Sequence, residues 1–204
     1  MAKIKLTKHE LKKKKDALKM YRRYLPTLQL KKQQLQMEIR GVEARLSQLL
    51  VIKTDLESKL SSWIALFSDS GSLRDEQRHP LLEIVAISTS EGNIAGVNIP
   101  VFVKAEFRIQ PYDFFSSPLW IDKALEIMKL ILSVSAEFSV VERQKELLSI
   151  ELRTTTQRVN LFEKVKIPET IGEIKKIGIY LGDQQTAQVV RGKISKKKVE
   201  EPSA

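Results

Sequence analysis

Apolar residues return every three or four positions from Ile4 to Phe67, with an overall period of seven. With Ile4 as heptad position a, the a and d positions are Ile4, Thr7, Leu11, Lys14, Leu18, Tyr21, Leu25, Leu28, Lys32, Leu35, Ile39, Val42, Leu46, Leu49, Lys53, Leu56, Leu60, Trp63 and Phe67. Fifteen of these nineteen are apolar. A seam held over that many turns predicts a helix lying against a partner helix along its whole length, because a lone helix would leave the stripe in water. At 1.5 Å per residue such a helix would be a rod roughly 95 Å long. Pro26 removes a backbone donor and predicts a kink near Arg22 to Pro26. Gly41 costs about 1 kcal/mol relative to alanine in a helix interior. It falls on the outer c position, where it is either simply tolerated or a point of close approach for another protein.

The pattern changes after Phe67. Ser68 to Ser72, with Gly71 placed to stop the helix, has loop composition, and Pro80 marks a further boundary. Leu82 to Ser90 and Val101 to Ile109 read as strands, with Glu91-Gly92-Asn93 as the turn, so a small β-hairpin is expected, packed on the helices. Pro111 and Pro118 close it. The heptad then returns at Ala124, Ile127, Ile131, Val134, Phe138, Val141, Lys145, Leu148, Leu152, Thr155, Val159, Phe162 and Lys166, and after Ile167-Pro168 it slips by one, to Ile167, Ile171, Ile174 and Leu181. The predicted fold is mainly α: a long antiparallel two-helix coiled coil with a small β-hairpin head between the helices. Its expected parts are an N-terminal helix over 1–67, a loop and hairpin over 68–118, a C-terminal helix over 119–190 and a basic flexible tail over 191–204. Phe67 opposite about residue 123 would bring Pro26 level with residue 164, near Pro168, so that both helices bend together.

Charge is unevenly distributed. Residues 1–32 hold 12 Lys and Arg against Glu10 and Asp16, which accounts for the whole net charge of +10. Residues Lys193 to Lys198 add a second local cluster, and the antiparallel arrangement gathers both at one end. Repulsion there, partly screened by salt, suggests a polar or acidic surrounding that receives it. The chain has no cysteine, which excludes a disulfide framework and thiolate chemistry. No run approaches the ~18–20 apolar residues of a membrane span, so no direct membrane insertion is expected.

No catalytic constellation, cofactor-binding motif or metal set emerges. His9 and His79 stand far apart without neighbouring ligands. The Gly192-Lys193 pair has Ala187 where a phosphate-binding loop needs its first glycine and Ile194 where it needs a hydroxyl. The run Lys12-Lys13-Lys14-Lys15 invites a nucleic-acid reading, but Leu11 and Leu18 carry the seam through it, and Lys14 holds a d position along which its stem can lie. A solvated or partner-facing helix surface is the better account, and no nucleic acid is expected.

Three segments, in order, carry a family resemblance. The second helix has Thr156-Gln157-Arg158-Val159-Asn160-Leu161-Phe162-Glu163, then Ile167-Pro168 and Thr170-Ile171; the hairpin has Asn93-Ile94-Ala95-Gly96-Val97-Asn98-Ile99-Pro100; the first helix has Leu28-Gln29-Leu30-Lys31-Lys32-Gln33-Gln34-Leu35. Together they resemble the D subunits of the V-type and archaeal-type rotary ATPases and ATP synthases, over essentially the whole chain. The resemblance implies a non-catalytic central-stalk rotor protein on the cytoplasmic side, peripheral to the membrane. It implies as partners the catalytic A and B subunits, the F subunit, and the C subunit (also called d), which links to the membrane ring. Lys12, Lys13 and Lys15 are then candidate contacts at the basic end, and Arg158 and Asn160 are candidates because they lie off the seam. Asn93, Gly96, Val97 and Pro100 form the hairpin motif, readable equally as turn and strand-edge residues or as contacts to neighbouring subunits. A different class of function, a stand-alone basic coiled-coil adaptor or nucleic-acid-binding rod, would explain the seams and the charge but not the hairpin motif.

Overall fold

A computed structural model describes residues 5–61, 81–112 and 120–200. The chain order is helix α1 (Lys8–Ser61), strands β1 (Leu82–Ile94) and β2 (Val97–Ile109), helix α2 (Ile121–Asn160), a π-helical turn (Leu161–Lys166) and helix α3 (Ile167–Glu200). Thr7 caps α1, its hydroxyl accepting from the Glu10 amide at 3.3 Å. The helix passes through Pro26 without interruption. The expected seam end at Trp63 and Phe67, the loop from Ser68, His79, Pro80 and Pro118 lie outside the described residues.

The chain divides into two compact units, Gln33–Arg153 and the pair Met1–Lys32 with Thr154–Ala204. In the first, Leu35, Val42 and Leu49 of α1, Val141 and Leu148 of α2, and Ile99 of β2 form one buried cluster. All five helical members are a or d residues of the two seams. Each such side chain contributes roughly 1.5–3 kcal/mol by leaving water. Two ion pairs, Arg45–Glu137 at 2.6 Å and Lys145–Glu43 at 2.9 Å, bracket the seam and show the antiparallel sense of α1 and α2. The hairpin lies against this cluster through Ile94, Ala95, Val97 and Ile99. Two further bonds tie it to α2: the Gln144 amide donates to the Pro100 carbonyl, and the Tyr112 hydroxyl donates to Asp122 in the first helical turn.

The hairpin turn departs from the expectation. It is Ala95-Gly96, with φ of 52° and 79°, and not Glu91-Gly92-Asn93, so β1 runs on to Ile94 and β2 begins at Val97. The I′ form of a two-residue hairpin turn needs positive φ at both residues, and its twist matches that of the strands. Asn93 holds this one in place: its side-chain oxygen accepts from the Gly96 amide at 3.0 Å, and its amide donates to Asn98 at 2.7 Å. Gly92, read as a turn residue, instead pairs with Ile99 inside the ladder. A Cβ there would stand 2.8 Å from a methyl of Val101, so the missing side chain serves packing. One bulge on each strand, between Ile84 and Ala86 and then opposite the Ser88–Thr89 step, restores the register.

In the second unit, α1 meets the helix formed by the end of α2, the π turn and α3. Tyr21 stacks on Phe162, with ring centroids 5.4 Å apart. The slip of the heptad has a structural cause here. In the π turn the Ile167 amide donates to the Phe162 carbonyl, five residues back, and this wider turn inserts one residue into the α-helical count. Pro168, which has no amide to offer Lys164, follows at once. Past the turn the buried positions are Thr170 and Ile177, with Ile174 and Leu181 half-buried. The expected Ile171 is exposed. A choice by hydrophobicity favoured it over Thr170, but the Thr170 hydroxyl donates to the Lys166 carbonyl at 2.6 Å, so its burial leaves no polar group unsatisfied. Beyond Leu181 every described residue is exposed, yet α3 stays helical to Glu200, past the expected boundary at 190.

Candidate functional site

Among the described residues no group of His, Asp or Glu could hold a metal ion, and no helix is long and apolar enough to cross a membrane. The candidate residues named from the sequence lie on surfaces. The basic one belongs to the unit made of Met1–Lys32 and Thr154–Ala204. On α1 the seam positions Leu11 and Leu18 are half-buried, which turns Lys12, Lys13 and Lys15 outward, all exposed. Lys14 differs. It occupies the seam as its heptad position requires, and its ammonium meets Glu173 of α3 at 2.6 Å. The hydrogen bond to Glu173 holds its pKa above the ordinary value; burial pulls the other way, and the charges of Glu173, Glu10 and Glu169 add to the rise. The run of four lysines thus separates into one that locks two helices together and three that stand exposed. His9, one turn earlier, is exposed on the same helix.

Arg158 and Asn160 are exposed on either side of the buried Val159. Tyr21 pairs with Phe162 and Lys14 with Glu173, which places Arg158 and Asn160 at least thirteen residues along the helix from the level of Lys14, or roughly 20 Å. The structure does not gather them with Lys12, Lys13 and Lys15. Reasoning from sequence placed Tyr21 and Phe162 on the two seams but missed Glu173 and the pairings that set this face. The expected register, with Phe67 opposite about residue 123, runs a few residues away from the observed pairs, so no spacing pointed to them.

The residues of the hairpin motif each have a structural role. Asn93 and Gly96 make the turn, Val97 packs on the buried cluster, and Pro100 accepts the hydrogen bond from Gln144. Outward, the hairpin presents Val85 and Val103, residues at its two bulges, together with Ile87 and Ile109.

Comparison with known proteins follows the same course as the geometry. A family model described as the D subunit of ATP synthase matches residues 10–197, spanning both long helical stretches and the hairpin. The D subunit of a V-type ATP synthase from Borreliella burgdorferi is 48% identical over 196 residues, 96% of this chain and 95% of that protein. Proteins of the same description from Chlamydia pneumoniae and Chlamydia muridarum are 32% and 31% identical, each over 97% of this chain and over 93% and 97% of their own lengths.

Proposed function

Because the chain belongs to the family of ATP synthase D subunits, we propose that it is the central-stalk rotor protein of a V-type ATP synthase or ATPase. In that role it couples ATP synthesis or hydrolysis in a catalytic hexamer to ion translocation across a membrane, and carries out no chemistry of its own. The observation that carries this reading is the match over residues 10–197, which takes in the helices and the hairpin together; an adaptor or nucleic-acid-binding rod would need only the helices. The relatives are named as components of V-type ATP synthases, and we extend that membership to partners: the A and B subunits, the F subunit, and the C subunit linking to the membrane ring. The exposed Lys12, Lys13 and Lys15, and the uncovered basic end of α3, suit a bearing contact. Charges in water can exchange neighbours as one part turns in another, whereas a large apolar patch would stick.

The decisive experiment mixes this chain with the A and B subunits from the same source, with and without the F subunit, and follows the mixture by size-exclusion chromatography with light scattering. One copy joining the hexamer, with a change in ATPase rate, is the expected result. A folded monomer that never joins the hexamer would reject the rotor assignment.

A further inference from the structure

The two units carry charge of opposite sign. Residues 1–32 and 154–204 together hold 22 Lys and Arg against 8 Asp and Glu, whereas residues 33–153 hold 13 against 17. Within the terminal unit the charge is also sorted by side. Lys8, Lys12, Lys15, Lys19 and Arg22 take the e and b positions of α1, spaced alternately four and three, and all are exposed. They form one straight row roughly 21 Å long, bordered by Asp16 and interrupted by no carboxylate. None of the five has an ion-pair or hydrogen-bond partner among the described residues. Like charges three and four apart weaken a helix, so folding alone gives no reason for the row. The acids of the unit gather on the other flank, where Glu10, Glu169 and Glu173 all act on Lys14. On the row's own flank, counted from the shifted seam, the e and b positions of α3 include Ile171, Lys175, Gly178, Gly182, Val189 and Lys196, again without a carboxylate. Ile171 and Val189 are exposed, and open space surrounds Gly178 and Gly182.

We propose that this flank lays the terminal unit on an anionic lipid surface while the chain is outside its assembly. The shape of the row identifies the occupant. A plane meets a rod along one line, and five cations on one line, with bare glycines beside them, reach such a plane together. A bilayer offers phosphates everywhere and needs no register, whereas a folded acidic protein would need carboxylates at the same alternating spacing. The uncovered end of α3 adds the second ingredient of a helix that lies in an interface. Val189, Ile194 and Val199 are exposed there among Arg191, Lys193 and Lys196, so apolar side chains can enter the headgroup layer while cations meet the phosphates. The contact is superficial, since no described helix is long and apolar enough to cross a bilayer. Lys12 and Lys15 serve both this contact and the bearing, so joining the hexamer draws the chain off the membrane. That last step rests on the rotor reading; the lipid contact does not.

The test is co-sedimentation of the purified full chain with two kinds of vesicle, phosphatidylcholine alone and phosphatidylcholine with roughly one-third phosphatidylglycerol. Binding to the second and not the first is expected, falling as salt is raised. The combined variant Lys8→Gln, Lys12→Gln, Lys15→Gln and Lys19→Gln should bind about ten-fold more weakly or worse. Lys13→Gln, Arg158→Gln, Lys164→Gln and Lys176→Gln remove the same charge from other faces of the unit and together should cost less than about three-fold. Circular dichroism checks that both variants are folded, and Arg at the same four row positions should keep full binding. The chain has no cysteine, so an environment-sensitive fluorophore on Val189→Cys should shift to the blue on anionic vesicles, while one on Met37→Cys should not. Equal losses in the two Gln variants would reduce the contact to net charge and overturn the row. Equal binding to both vesicles, or binding to neither, would overturn the lipid contact. A row variant that binds anionic vesicles normally but no longer joins the A and B hexamer would assign the row to a protein partner instead. Hexamer added to vesicle-bound chain should release it. A chain that binds the vesicles but never joins the hexamer leaves the lipid contact standing and rejects the rotor assignment.

Discussion

The two units use one design, a pair of antiparallel helices in heptad register, and fill it with different residues. In Gln33–Arg153 the buried cluster is Leu35, Val42, Leu49, Val141 and Leu148, capped by Ile99 of the hairpin, and Ile121, Ala124, Leu125, Ile131 and Ala136 are buried as well. In the unit made from the two chain ends the buried residues are Thr155, Val159, Thr170 and Ile177, beside a seam lysine, an aromatic stack and a π turn. Aliphatic packing is strong and indifferent to small displacements of charge. Threonines, an ion pair and a widened helical turn bury less apolar surface and hold their geometry by hydrogen bonds. The contrast teaches that two chemistries share the same helices. The unit Gln33–Arg153 is built to stay folded. The unit that exposes the basic residues is built more loosely.

Leu148→Ala tests the first half of that division most severely. The residue is fully buried at the centre of the cluster, and its truncation should cost about 2–5 kcal/mol, read as a lower denaturant midpoint by far-ultraviolet circular dichroism. A cost below about 1 kcal/mol would mean that the middle unit is not the anchor. The next effect concerns the other end. Reversing Lys12, Lys13 and Lys15 to Glu, while keeping Lys14, should weaken binding to the A and B hexamer by about ten-fold at low salt and less at high salt, with helical content unchanged. Unchanged affinity, measured by titration with the hexamer, would remove the idea that these three charges form the bearing.

Much of this division was legible in the sequence. The heptad frame taken from Ile4 identifies every buried residue of α1, because its inner face packs along a partner helix. Lys14 was placed at the seam by the same frame. The misreadings share one cause, a local geometry that hydrophobicity does not encode. Ile171 outranks Thr170 on any apolar scale, but the π turn rotates the helix so that Thr170 faces inward and finds the Lys166 carbonyl. Glu91-Gly92-Asn93 looks more like a turn than Ala95-Gly96 does, because alanine seldom adopts positive φ. What decided the matter was the side chain of Asn93, reaching forward to Gly96 and Asn98. Of the candidate surface, the basic residues were plain from charge alone, whereas Glu173 depended on a register that only the folded pair fixes.

The turn offers a milder probe, since it docks on the stable unit. Gly96 has φ of 79° and open space around a would-be Cβ, so Gly96→Ala carries only the backbone cost, about 1 kcal/mol. Ala95, at φ 52°, already bears that cost. Ala95→Gly should therefore stabilise by a few tenths of a kcal/mol, the relief of strain being partly offset by the entropy of a new glycine. Denaturant unfolding of the two variants should give shifts of opposite sign. Equal signs would mean that the turn is not held against the buried cluster as described.

The smallest effect bears most directly on why the terminal unit is polar. Lys14 and Glu173 are both half-buried in the seam. A double-mutant cycle should find a coupling of about 0.5–1 kcal/mol. Lys14→Met alone leaves the Glu173 carboxylate without its partner and destabilises. Adding Glu173→Leu should recover that loss or better it, because apolar residues of similar size often replace an ion pair at no cost. The pH dependence follows from the raised pKa of Lys14. The folded chain holds this proton more tightly than the unfolded chain, so the pair's contribution is complete below the ordinary value of 10.5 and disappears as pH climbs through the higher folded value. Unfolding measured at neutral pH and again above 10.5 should thus show the wild-type chain losing stability relative to the double variant. If the double variant is as stable as the wild type at neutral pH and yet binds the hexamer more weakly, the polar seam exists for the partner, and the terminal unit has given up aliphatic packing to present its charges. If it is clearly less stable, the ion pair is part of what holds this end together, and the contrast between the units is one of chemistry and not of strength.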